Sequence, residues 1–197
     1  AGRCGSLGPA AGFSNLNHMN SDARANLAIV DGADAGTCVF SLATAHVVVD
    51  ELGRLTPDTG YGWKLAPPRR ALDTRQCAQW CNGRPAAGGV VELDLATTAP
   101  AAAVAITVTD TQGPGFVTVG RCADVNTGGE PSTSNVNHAR GATVTGLAMV
   151  ELDAGKMCIY TRASAHVVID VQAELTADRT VGMLPTAPKR FHDSRTA

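Results

Sequence analysis

The sequence predicts an all-β fold: a disulfide-stapled, barrel-like β-sandwich with two pseudo-symmetric lobes. Three observations carry this. Short apolar runs alternate with polar residues at a period of two, as in "VELDL" (91–95) and "VAITVTD" (104–110), the pattern of strands with one buried face. The six cysteines are even in number and have no zinc-type spacing, which reads as a disulfide framework. The chain also repeats itself at an offset of 120 residues.

Composition agrees with short strands and turns. Apolar residues make up 44% of the 197 positions but aromatics only 4%, so the core must be Val, Ala, Leu and Ile. Glycine (21) and proline (10) supply turns. No stretch holds a convincing 3.6-residue period beyond two turns, and "APAAAVA" (99–105) reads as a loop entering a strand. Net charge is -2 and no basic stripe is present, so nucleic acid is not an expected partner. No apolar run approaches the roughly 18 residues of a spanning helix. No charged and apolar leader opens the chain, so a signal peptide is expected to have been removed or to lie outside it.

The first element is the repeat. "SNLNH" (14–18) matches "SNVNH" (134–138), "TCVF" (37–40) matches "MCIY" (157–160), and "AHVVVD" (45–50) matches "AHVVID" (165–170). "PRRALDTR" (68–75) matches "PKRFHDSR" (188–195), and 22 of the 62 positions from 14 to 75 are identical without a gap. "GRC" at 2–4 recurs at 120–122. The expected layout is a first lobe at 1–77, connecting strands at 78–120, and a second lobe at 121–197. The connecting strands are 89–95, 102–110 and 115–120. Six cysteines allow fifteen pairings, and the one that respects the repeat is Cys4–Cys38, Cys122–Cys158 and Cys77–Cys81. The first two would close loops worth about 3–4 kcal/mol each in the chain-entropy model.

Taken in order, "PPRRALDTR", the alternating strands of 89–120, "GRC", "SNVNH", "MCIY" and "AHVVID" resemble a β-rich repeat module of secreted actinobacterial proteins. That module runs PxRxLDTR, strands, Cys, SNxN, vCvy, tHvvvDv. The resemblance covers 65–180 as one complete module. Residues 1–60 resemble the back half of another, and 185–197 the opening of a third. The closing "GYF" of the family is replaced here. Such modules are usually noncatalytic accessory regions, so the resemblance implies a secreted β-sandwich and no chemistry.

Candidate sites follow. His46 and Asp50 share a strand face but sit about 13 Å apart at ~3.3 Å per residue, so they cannot form a hydrogen-bonded catalytic pair. The same holds for His166 and Asp170. No nucleophile elbow is present, and polar residues ending a buried strand are expected to be satisfied by neighbours. Arg75 and Arg195, in "DTR" and "DSR", are expected to fork onto Asp50 or Asp170 and staple the opening segment to the last strand. Asn side chains of the "SNxNH" segments are expected to satisfy backbone in turns, with a sugar-binding edge as the other reading. His18, His46, His138 and His166 lack ligand spacing and a carboxylate cluster, so no metal and no cofactor are expected. "CAQWCNGR" (77–84) breaks the repeat and presents Trp80 and Arg84, and "YGWKL" (61–65) presents Tyr61 and Trp63. These are the candidate partner contacts, packing between lobes being the alternative.

The expected function is a noncatalytic, secreted protein-protein interaction module, a subunit or adaptor of a larger extracellular complex. Secreted toxin particles are one setting, by analogy. The alternative is a carbohydrate- or cell-wall-binding module. The first lobe lacks the three connecting strands. Either the middle segment lies between both lobes, or another secreted protein adds a strand to it.

Overall fold

The structure, a computed structural model, describes residues 2–4, 23–28, 36–57, 62–76, 83–177 and 181–196. The strands are β1 (Gly2–Arg3), β2 (Thr37–Cys38), β3 (Val48–Pro57), β4 (Gly62–Asp73), β5 (Gly89–Asp94), β6 (Ala101–Thr109) and β7 (Gly115–Gly120), then β8 (Val136–His138), β9 (Val144–Glu151), β10 (Lys156–Thr161), β11 (His166–Thr176) and β12 (Val181–Asp193). A four-residue helix, α1 (Cys122–Val125), is the single described helix. It is too short for a sequence period to announce it.

Two four-stranded antiparallel sheets form a sandwich from β4 to β11. One has the order β5-β10-β7-β8 and the other β4-β11-β6-β9. Alternation explains how they face one another. Val104, Ile106 and Val108 of β6 point into the space between the sheets with Val167, Ile169 and Val171 of β11 and Val117, Val119 and Ile159 opposite. On the other face of β6, Thr107 and Thr109 bond Thr145 and Thr143 across the strand pair at 2.8 and 2.6 Å. A bulge in β11 sets Val171 opposite Val104 and Ala173 opposite Ala103. Two residues of β11 there span one of β6, which turns Ala173 and Leu175 to the outer face.

That outer face is apolar and built from small side chains. Ala101, Ala103, Ala173, Met149 and Leu175 pack there with Met183 of β12. β12 pairs with β3 as a separate two-stranded ribbon, and the ribbon lies against the sandwich through Met183. The space left between Met149, Val150 and Thr186 of the ribbon is about 10 Å³, roughly one water.

Pairing cuts across the sequence division at 77 and 121. β4, from the first end, belongs to the sandwich, and β12, from the second, belongs to β3. Among the described residues the middle segment takes its strand partners within the sandwich. β5, β6 and β7 pair with β8 to β11 alone. The registers of the two opener-closer pairs coincide. Val168↔Asp73, Asp170↔Arg70, Ala173↔Leu65 and Leu175↔Trp63 become Val48↔Asp193, Asp50↔Arg190, Gly53↔Pro185 and Leu55↔Met183 on shifting each residue by 120. β1 and β2 pair Gly2 with Cys38, as β7 and β10 pair Gly120 with Cys158. Disulfides join Cys4 to Cys38 and Cys122 to Cys158, with Cα separations of 4.9 and 4.7 Å. Cys77 and Cys81 lie outside the described residues.

Candidate functional site

The polar residues singled out in the sequence gather into two clasps of the same design. In the sandwich, the Thr74 hydroxyl accepts the Val167 N–H at 2.9 Å and sits 3.0 Å from Nδ1 of His166. In the ribbon, the Ser194 hydroxyl accepts the Val47 N–H at 2.8 Å and lies 3.4 Å from Nδ1 of His46. The Thr74 and Ser194 N–H groups return bonds to the carbonyls of Val167 and Val47. The hydroxyls and imidazoles thus tie the "DTR" and "DSR" turns to the closing strands. The carboxylates are committed to guanidinium groups. Among the described residues none bonds the free ring nitrogen of either histidine.

The arginine assignment needs correction. Arg75 does not reach Asp170; it closes on Asp73, two residues away, at 2.8 and 2.7 Å. The side chain that forks onto Asp170 is Arg70, at 2.5 and 3.4 Å, and it also bonds Asp73 at 3.0 Å. In the ribbon Arg190 takes Asp50 and Asp193, and Arg195 closes on Asp193. Antiparallel register sets this choice, because Arg70 stands directly opposite Asp170 and Arg190 opposite Asp50. The signal was present: Arg70 and Arg190 are identical across the repeat. The Arg75 side chain, together with its backbone N–H, holds the buried Asp73 carboxyl down to about 2. Arg195 likewise holds Asp193 well below the usual carboxylate range.

Asn135, in "SNVNH", is buried, and its side-chain oxygen accepts the Val119 N–H at 2.7 Å. It therefore satisfies a strand backbone rather than a turn. His138 closes β8 in a buried position where neither ring nitrogen has a hydrogen bond of good geometry. Burial lowers its pKa, and the nearby backbone of Ala139 and Gly113 offsets this only in part. Among the described residues the one cluster with metal-type ligands is Glu92, Cys122 and Cys158, whose two sulfurs are bonded to each other. His18, Tyr61 and Trp80 lie outside the described residues. Arg84 is paired with Asp110. Trp63 stands on β4 opposite Leu175 and is exposed.

The motif search missed a set of exposed apolar side chains in the first lobe and on β12. Val39, Phe40, Val48 and Leu55 are 47, 42, 39 and 46% exposed. Their counterparts 120 residues on, Ile159, Tyr160, Val168 and Leu175, are 0, 5, 3 and 0% exposed. Phe191 on β12 is 66% exposed, whereas its counterpart Ala71 is 5% exposed within the intersheet core. The covering elements differ. In the sandwich β5 and β7 flank β10, β6 flanks β11, and Phe116 of β7 packs on Tyr160 at 5.9 Å between ring centroids. Beside β3 the only paired strand is β12, so its other edge of N–H and C=O groups is open among the described residues. The sequence held the signal as a missing set of strands, but exposure of particular side chains needed coordinates.

Comparison with family models, with curated proteins and with solved structures finds no match to this chain. What the fold itself defines is an all-β, disulfide-bonded sandwich with apolar side chains of the first lobe left exposed.

Proposed function

We propose that this protein is a noncatalytic, secreted protein-protein interaction module, an adaptor or subunit of a larger extracellular complex. The observation that carries the reading is the set of five side chains, Val39, Phe40, Val48, Leu55 and Phe191, exposed here and replaced by buried counterparts in the sandwich. Large apolar side chains left exposed where their counterparts are buried point to cover by a partner. The β3 edge left unpaired among the described residues adds main-chain hydrogen bonding to it. Secretion is supported by two disulfides. No described helix is long and apolar enough to cross a membrane.

Tagged protein returned to the culture supernatant of its source and recovered by affinity tests the reading. A defined protein partner is expected, lost from the Phe40→Ser/Phe191→Ser variant while that variant keeps its thermal transition. Recovery of the chain alone and monomeric overturns it. Retention on insoluble cell-wall polysaccharide, abolished by Trp63→Ala and untouched by Phe40→Ser/Phe191→Ser, replaces it with the glycan-binding alternative.

A further inference from the structure

We infer that the partner covers the first lobe by adding an antiparallel strand to the open edge of β3, in the register that β6 keeps on β11. The inference rests on the interaction-module reading and names the chemistry of what binds.

The template is inside the molecule. β4 on β11 and β12 on β3 share one register under the 120-residue shift, bulges included. The remaining neighbour of β11 is β6, which sets Thr107, Ile106, Ala105 and Val104 opposite Val168, Ile169, Asp170 and Val171. After the bulge, Ala103, Ala102 and Ala101 stand opposite Ala173, Glu174 and Leu175. Transferred to β3, the donor strand carries β-branched residues opposite Val48, Val49 and Glu51. It carries small residues opposite Asp50, Gly53, Arg54 and Leu55. Where two residues of β3 span one donor residue, crowding favours side chains no larger than alanine. Glu51 is already paired with Arg54 at 2.6 Å, so no charge on the donor is required there.

A second copy of this chain cannot supply its β6 as the occupant. Each copy carries one β6, bonded on both edges by β11 and β9. It carries two closing strands, β3 and β11. Exchange of segments between copies still leaves one closing strand per copy unfilled. The donor is therefore a different polypeptide segment.

The probe is a synthetic peptide of residues 99–111, "APAAAVAITVTDT", added to the full-length protein, with a scrambled peptide as control. Saturable 1:1 binding is expected, with slowed amide exchange along 48–55. Leu55→Arg and Val48→Lys are expected to weaken binding at least tenfold. Leu184→Arg, an exposed change on the same ribbon, is expected to leave it unaltered. No binding, or binding that ignores Leu55→Arg and Val48→Lys, overturns strand addition. So does a concentration-dependent dimer that Leu55→Arg abolishes, since the occupant is then a second copy. Protein from its source whose β3 amides are already as protected as those of β11 overturns it as well, since cover is then supplied in cis. Failure here is separable from failure of the wider reading. A partner that the Leu55→Arg and Val48→Lys variants still capture from the supernatant leaves the adaptor reading standing and removes strand addition alone.

Discussion

Asp73 is nearly sealed from solvent and still charged, because Arg75 and Arg70 both bond its oxygens. Its folded pKa, about 2, lies below the usual 3.8. The stability it contributes is therefore present above about 3.8 and lost as pH falls toward about 2. Asp73→Asn should destabilise at neutral pH, and the gap from wild type in urea unfolding should close at about pH 2. His138 runs in the same direction for a different reason. Burial depresses its folded pKa below 6.5, so the unfolded chain takes up a proton first and stability falls as pH drops below about 6.5. His138→Phe should flatten that part of the curve. Thr74 gives a test free of pH. It is buried, and its hydroxyl accepts the Val167 N–H. Thr74→Val should therefore cost about 1–3 kcal/mol in denaturant unfolding, and the more exposed Ser194→Ala about half as much. Of these groups, Asp50 and Asp170 were legible as members of a staple. Their arginines were not, because spacing along "DTR" points to the nearest cation. Register across a bulged strand pair, which no local spacing encodes, decides which cation stands opposite.

Strands were legible where alternation met a buried face. The runs at 89–95, 102–110 and 115–120 correspond to β5, β6 and β7, with no end displaced by more than one residue. β12 was harder to see, since Pro185 and Pro188 interrupt it. Both fall where its register on β3 shifts between Pro185 and Lys189, a position where a missing N–H costs little. Gly53 lies on the other side of that shift. A methyl there would meet the Leu184 carbonyl oxygen at 2.5 Å and the Met183 side chain at 2.8 Å. Gly53→Ala should cost about 1–3 kcal/mol and speed amide exchange along 48–55 while leaving β11 unchanged. The counterpart Ala173 carries that methyl group in the outer-face cluster.

At the scale of the whole molecule, the two disulfides stabilise different bodies. Cys122–Cys158 fastens α1 to β10 within the sandwich, whereas Cys4–Cys38 joins β1 to β2, a pair outside both four-stranded sheets. Replacing Cys122 and Cys158 by serine should lower the main calorimetric transition, by about 3–4 kcal/mol in the chain-entropy model. Replacing Cys4 and Cys38 should leave that transition in place and loosen the first lobe alone, as read by proteolysis and amide exchange. The sequence made a whole-molecule expectation of two equal ends sharing a middle. Local similarity cannot say which copy of an identical motif a strand will choose, and here β4 chose the later closing strand and β12 the earlier one.

That choice also orders events in time. Arg70 and Asp170 meet across 100 residues of chain, but Arg190 and Asp50 across 140. β3 is made early and has no partner strand until β12 leaves the ribosome, at about 5–20 residues per second in synthesis. Long-range closures are slow to form and raise the barrier to folding. The sandwich should therefore reach its native state first and serve as the floor on which the ribbon zips. For those seconds β3 is open along both edges, so the nascent chain would meet a chaperone, or a waiting donor strand, before the mature protein ever does.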